Sequence, residues 1–332
     1  MIYLAVQALF FNKTRVFIVS QFVVPLPANR ITNGWQLMIA LVNGDVIPSK
    51  EWKKLSFRLK FLCRSLFNWR LTISLADILA SNLLIEQILH VQPDLPCKLH
   101  RPYLTVKMSK LECLFALRDH YTLITQRMPL KLLLGCLNKE PAVLGNAVDK
   151  QGNKVMLKMA SLSNLNREGE MTLLSCNADG VILAKITFIL MNYGQRPTIF
   201  IGGLQGADKE VPHTEIHETT KACYGLFPKR LALEGVCSLA HYLGIDQIIA
   251  VGNGGHIYRN WRYRSKKDVL HADYDEFWLS IGGRKMTSGY FQLPLRIPRK
   301  PIESIASKKR AEYRRRYQLL DELEGEMSRW FQ

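Results

Sequence analysis

Two glycine-bearing passages carry the clearest chemical signal in the chain. Gly202-Gly203-Leu204-Gln205-Gly206 ends an apolar run, and after a polar stretch comes Tyr224-Gly225-Leu226-Phe227-Pro228-Lys229-Arg230, where Pro228 opens a helix. Bare backbone admits close approach, the free N–H groups and dipole of a helix N-terminus favour phosphate, and Lys229 and Arg230 add charge-assisted hydrogen bonds. The expectation is a cradle for a phosphate-bearing donor, built from Gly203, Gln205, Gly225, Lys229 and Arg230. A pyrophosphate-carrying acyl donor such as an acyl-coenzyme A suits it, or the same acyl group on an acyl carrier protein, and no tightly bound cofactor is expected. Neither a GxGxxG fingerprint nor a P-loop is present, so a glycine turn before a proline-started helix accounts for the same residues.

Proton transfer needs side chains that titrate near such a cradle. His213, Glu215, His217 and Glu218 lie between the two passages, and His217 is a candidate base. His213 and His217 have i, i+4 spacing but not the His-Glu-x-x-His pattern, and no metal site is expected. His256 follows Gly252-Asn253-Gly254-Gly255 at a strand end, where α/β proteins commonly place ligands; a loop histidine is the plain alternative. Asp273-Tyr274-Asp275 opens a short helix, with Asp273 placed to cap it. Cys223 adjoins the cradle without a base to activate it and is expected to be a packed thiol.

The elements positioning these residues are legible from periodicity. Val155–Met159, Met171–Ser175 and Val181–Phe188 alternate as strands, with Asp179-Gly180 as a tight turn between the last two. A fourth run, Thr198–Ile201, is expected to end at Gly202-Gly203. Then come a helix from Pro228 to Leu243 stopped by Gly244, a short buried strand at Gln247–Val251 suited to parallel pairing, a helix at Tyr274–Ile281 ended by Gly282-Gly283, and a strand at Gly289–Leu295.

This order of meander, helix, strand, helix and strand over about 155 to 296 resembles the acetyltransferase fold of the Gcn5-related type. The usual signature of that family, Gln/Arg-x-x-Gly-x-Gly/Ala, is replaced by Gly225-Leu226-Phe227-Pro228-Lys229-Arg230. The resemblance implies a donor pyrophosphate at the helix start after the fourth strand. It also implies that a tyrosine on the later helix, here Tyr274, protonates the departing thiolate. A second resemblance rests on Gly202-Gly203-Leu204-Gln205-Gly206, Gly225-Leu226-Phe227-Pro228-Lys229-Arg230-Leu231, Ile249-Ala250-Val251 and Ala272-Asp273-Tyr274-Asp275-Glu276-Phe277-Trp278, in that order. These look like the VirK/YbjX family of Gram-negative bacteria, over about 55 to 298. That resemblance implies an envelope-related role in virulence and resistance to antimicrobial peptides.

The first half reads as helical. Trp52, Leu55, Leu59, Leu62, Leu66 and Trp69 recur at three and four residues, which puts them on one face of a helix over 50 to 70. Lys50, Lys53, Lys54, Arg58, Lys60 and Arg64 flank the stripe. That pattern suits a basic helix in an anionic membrane interface, and equally a core helix with a solvated basic face, which is the simpler expectation. Further helices are expected over Ser74–Val91 and Leu111–Gln126. Met1–Phe11 and Val16–Leu26 are apolar but divided by Lys13 and Arg15, too short to span a bilayer, and read as buried or surface-docked segments.

The fold class expected is therefore α+β: a helical basic region over 1–150, an acyltransferase-like mixed sheet flanked by helices over 151–298, and a peripheral basic helical tail over 299–332. The 332 residues carry 45 Lys and Arg against 28 Asp and Glu, and residues 1 to 150 hold 19 of the basic residues against 9 acidic ones. Such flanks suit an anionic membrane surface or an acidic carrier protein. No helix-turn-helix or aromatic RNA-binding motif points to nucleic acid. Seven widely spaced cysteines without a CxxC pair indicate neither a disulfide framework nor a zinc site, and reduced thiols in a cytoplasmic protein, peripheral at the inner membrane, fit best. The readings that follow are an acyltransferase acting on a lipid or protein acceptor, a non-enzymatic envelope factor using the same fold to bind, and a nucleic-acid-binding regulator.

Overall fold

The computed structural model describes residues 31–263 and 273–332. The expectations for Met1–Phe11 and Val16–Leu26 lie outside the described residues.

Among the described residues, six α-helices precede the sheet: α1 (Gly34–Asn43), α2 (Leu55–Leu66), α3 (Trp69–Ala80), α4 (Ile85–Val91), α5 (Lys110–Arg127) and α6 (Leu130–Cys136). Local signals bound two of them. Asn33 caps α1 through its side chain, and Gly44 ends it in the left-handed conformation. Ser109 and Glu112 form a reciprocal capping box that starts α5. The single helix expected over 50 to 70 is instead a short 3-10 turn at Lys50–Lys53 followed by α2, which breaks at Phe67-Asn68 before α3. The apolar face is also turned the other way: Trp52 is buried, but Leu55, Leu59, Leu66 and Trp69 are exposed, and Phe61 and Ser65 are the buried residues of α2. The helix expected over Ser74–Val91 is likewise broken into α3 and α4.

The sheet contains eight strands in the order β1-β2-β3-β4-β5-β6-β8-β7. They are β1 (Ala142–Val148), β2 (Lys154–Ala160), β3 (Met171–Cys176), β4 (Ile182–Tyr193), β5 (Arg196–Gly206), β6 (Gln247–Ala250), β7 (Arg284–Lys285) and β8 (Phe291–Leu293). Every neighbouring pair is antiparallel except β5 and β6, which run parallel. A parallel pair needs a crossover, supplied by α7 (His213–Ala222) and α8 (Pro228–Tyr242). Two further α-helices follow among the described residues, α9 (Tyr274–Ser280) and α10 (Ser307–Ser328). The chain is thus an α+β protein, a helical N-terminal region followed by a mixed sheet with helices.

All six residues of β3 and nine consecutive residues of β4 are buried, which requires cover on both sheet faces. β4 touches both α5 and α8, and Gly235 of α8 packs against the side-chain ends of Leu157 and Leu173, which a larger residue would displace. The tail is not peripheral. Leu319, Leu320, Leu323 and Met327 of α10 are buried, and the helix backbone lies directly over Gly145 of β1. The region expected to be helical over 1–150 also contributes β1, which is tied to the sheet by its pairing with β2. β5 runs on through Gly202 and Gly203 instead of ending there.

Candidate functional site

β5 and β6 pair only from Thr198 to Ile201, flanked by bonds from the Asp246 N–H to the Pro197 carbonyl and from the Val251 N–H to the Ile201 carbonyl, both at 3.0 Å. Beyond this point β6 turns away at Gly252, while β5 continues to Gly206 beside β4. Gly202 is the extra residue of a bulge there, since Gly203 faces Thr187 and Ile201 faces Phe188. Three buried polar side chains, Glu168, His256 and Tyr274, meet in the opening.

The two glycines make this possible. A Cβ on Gly202 would stand 2.0 Å from the Glu168 carbonyl oxygen, and one on Gly203 would stand 2.3 Å from Glu168 Oε2. The carboxylate therefore lies where a side chain of β5 would otherwise be. Oε2 accepts from Gln205 Nε2 at 2.8 Å. Oε1 is 3.1 Å from His256 Nε2, but off the axis of a hydrogen bond, and no other donor reaches this buried oxygen among the described residues. His256 Nδ1 accepts from the Tyr258 N–H at 3.3 Å, so the neutral ring carries its proton on Nε2, beside the carboxylate. Tyr274 Oη lies 3.4 Å from the same Nε2 and accepts the Leu204 N–H at 2.9 Å. Burial, with the Glu168 carboxylate adding to it, holds the Tyr274 hydroxyl well above the usual tyrosine range.

The surroundings fix each member. Asn253 accepts the Tyr274 N–H at 2.9 Å and donates to Asp273 at 2.7 Å, and Asp273 caps α9 as expected. Trp278 Nε1 donates to the Val251 carbonyl at 2.8 Å, which anchors α9 to the end of β6. The N-terminal region supplies the opposite wall: Thr105 forms an isolated bridge with His256, and the Leu104 N–H donates to the Arg167 carbonyl at 2.8 Å. Two residues past Glu168, Glu170 is buried in its own network. Its Oε1 accepts from Lys98 Nζ and, at 2.8 Å, from Tyr103 Oη, while Oε2 accepts from Tyr121 Oη at 2.7 Å. Lys98 Nζ also reaches the Asn166 carbonyl at 2.7 Å. Burial pulls the Lys98 ammonium below its ordinary range, and Glu170 opposes that. Residues 166 to 170 are thus braced from both sides, which sets where Glu168 points.

Of the residues singled out from sequence, Gly203, Gln205, His256 and Tyr274 converge here. His217 does not: with His213 it lines a separate cavity of about 580 Å³, together with Lys150, Tyr224, Gly225 and Glu312, and no member of the buried cluster lines it. His213 begins α7, so the stretch read as a polar connection is helical. The Gly225 N–H donates to the Thr220 carbonyl, and Arg316 of α10 covers its Cα. Arg230 pairs with Glu234 along α8 at 2.9 Å. Lys229 alone keeps its charge free: it has no ion pair among the described residues, lies against Gly206, and burial lowers its pKa. Burial, with Asp149 adding to it, pushes the Cys223 thiol up to about 12, as a packed cysteine requires. Glu168 and Glu170 were not anticipated; the glycine pair inside a strand was the signal that another group approaches closely.

A mixed sheet with one parallel pair, opened at its end around a buried Glu-His-Tyr cluster, defines the class of α+β protein. The family described as "Protein of unknown function (DUF535)" matches residues 50–329, and the chain belongs to it. It is 45% identical over 295 residues to "Uncharacterized protein YbjX" of Escherichia coli (strain K12), covering 89% of each chain, which bears out the resemblance to the VirK/YbjX family. It is 27% identical over 217 residues, 65% of this chain and 70% of the other, to an "Uncharacterized protein" of Haemophilus influenzae (strain ATCC 51907 / DSM 11121 / KW20 / Rd). No solved structure matches.

Proposed function

We propose that the protein is an acyltransferase of the acetyltransferase-fold type, acting on an amine or hydroxyl of a lipid or protein acceptor in envelope modification. The observation that carries this reading is the opening between β5 and β6. It combines a bulge, a strand N–H at Leu204 and three proton-handling side chains at the end of the one parallel pair. The strand order agrees with it: an antiparallel meander, a helical crossover into a parallel strand, then a helix and an antiparallel return.

In this reading the Glu168 carboxylate holds His256 with Nε2 toward the reacting groups. Glu168 Oε1, 3.1 Å from Nε2, first takes the Nε2 proton, and the freed Nε2 removes the proton as the acceptor nitrogen or oxygen bonds to the acyl carbon. The C–S bond of the thioester donor breaks, Tyr274 gives its proton to the departing thiolate, the proton on His256 crosses the 3.4 Å to restore Tyr274, and Glu168 returns its proton to Nε2. The Leu204 N–H, released from Tyr274 Oη, is a backbone donor for charge on the acyl oxygen. At the far end, Lys229 beside Gly206 is the free cation for donor phosphate, while Gly225 and Arg230 serve the α7–α8 junction. The site acts on the cytoplasmic side in this proposal, where thioester donors are made.

One observation favours a second reading. Glu168, His256 and Tyr274 are all at most 2% exposed, as befits a structural brace in a non-enzymatic envelope protein that uses the fold to bind. Thermal denaturation with coenzyme A, acetyl-coenzyme A, long-chain acyl-coenzyme A and acyl carrier protein separates the two. Native-state binding must raise the melting temperature. A rise with one donor, abolished by Lys229→Ala, supports acyl transfer; no rise with any donor leaves the brace as the function of the cluster.

A further inference from the structure

We propose that the exposed apolar ridge of α2, together with the tryptophan pair beside it, is a docking surface for an anionic lipid bilayer. Leu55, Leu59 and Leu66 point to solvent from α2, at spacings of one and about two turns, opposite the buried Phe61 and Ser65. The helix then breaks at Phe67, the most exposed large apolar residue among the described residues at 87%. Trp69, 50% exposed, meets Trp35 of α1, 57% exposed, at a ring-centroid distance of 6.5 Å. Scattered apolar residues on a surface are ordinary, but a contiguous ridge of leucines ending in three aromatics is an interaction site.

Charge decides what covers it. From Lys50 to Arg70 the chain carries seven basic residues and one acidic residue, Glu51, which is taken by Lys54 at 2.9 Å. Lys50, Lys53, Lys60 and Arg70 are exposed and make no ion pair among the described residues, and Arg70 lies over the Trp69 ring at 5.6 Å. A second copy of this chain would bring the same cations together, which disfavours a symmetric dimer. An anionic bilayer offers phosphates at the level of the lysines, a hydrocarbon boundary for the leucines and Phe67, and an interface in which tryptophan settles. Twelve residues of α2 give a ridge about 18 Å long, enough to lie in the surface and too short to cross it. Among the described residues no single helix is long and apolar enough to cross a membrane. The surface stands independently of the acyl-transfer reading.

The test is sedimentation of the full chain with vesicles of phosphatidylcholine alone or mixed with phosphatidylglycerol. Binding is expected only with the anionic lipid. It should fall at least about tenfold in Leu59→Ser/Phe67→Ser and in Lys53→Glu/Lys60→Glu, with unchanged melting temperatures because all four side chains are exposed. Binding that survives both pairs of substitutions would place the lipid contact elsewhere in the chain and overturn the proposal. So would equal binding to both vesicle types, or no binding to either. A lipid-free dimer lost in Leu59→Ser/Phe67→Ser would assign the ridge to self-association and overturn it too.

Discussion

The Glu168 carboxylate occupies the space that a side chain at position 203 would fill, 2.3 Å from where a Cβ on Gly203 would be. The position of the buried acid and the identity of the strand residue are one structural fact.

Gly203→Ala must therefore displace Glu168 or open β5. Overpacking of this kind costs about 1–3 kcal/mol, and the expected outcome is a clear drop in melting temperature. Gly254→Ala is the matched control, since a Cβ there meets nothing within 4 Å. Equal melting of the two variants would mean that Glu168 is not wedged against the strand.

Lys98 and Glu170 are both fully buried and bonded to each other. Lys98→Met leaves the carboxylate with two tyrosines and no cation, and should cost about 3–5 kcal/mol in urea denaturation. Lys98→Met combined with Glu170→Leu should cost less than the sum of the single changes, because no charge is then stranded. Additive losses would show that the two side chains do not depend on each other.

His120 is buried in α5, its Nδ1 accepting the Leu190 N–H at 3.2 Å, and burial lowers its pKa to about 4. The unfolded chain takes up this proton near pH 6.5 and the folded chain only near 4. The stability from neutral His120 is thus complete above about pH 6.5 and lost as pH falls toward 4, by an amount on the order of 3 kcal/mol. His120→Asn, which can keep an acceptor for Leu190, should flatten that part of a stability–pH curve relative to the parent. Curves that stay parallel would count against a neutral buried His120.

Leu323 is buried where α10 crosses β1. Leu323→Ala should cost about 2–5 kcal/mol, as for any core leucine. A loss near zero would return α10 to the status of a peripheral tail.

Much of the sheet was legible before the structure because most of its strands are short apolar runs, rich in β-branched residues, between turn residues. The meander, the Asp179-Gly180 turn, the Pro228 start and Gly244 stop of α8, and the parallel β6 follow from local patterns. The site was half legible. His256, Tyr274, Gly203 and Gln205 stood out by type and position, but Asn166–Glu170 reads as a polar loop, and its importance arises from contacts 37 to 72 residues away at Lys98, Tyr103, Tyr121 and Gln205. The stripe over 50 to 70 was periodic as read, yet faces outward, because periodicity reports that one face is apolar and is silent on which face meets the core.

The ends of the sheet bear on how the protein can associate. At one side β7 is only Arg284 and Lys285, both exposed; at the other, α10 lies across β1 and Trp330 Nε1 donates to the Val143 carbonyl at 3.2 Å. A short cationic margin and a roofed one both resist edge-to-edge addition of a foreign strand. Among the described residues, both margins of the sheet are thus unsuited to strand pairing, and the helical faces are the surfaces left for a partner.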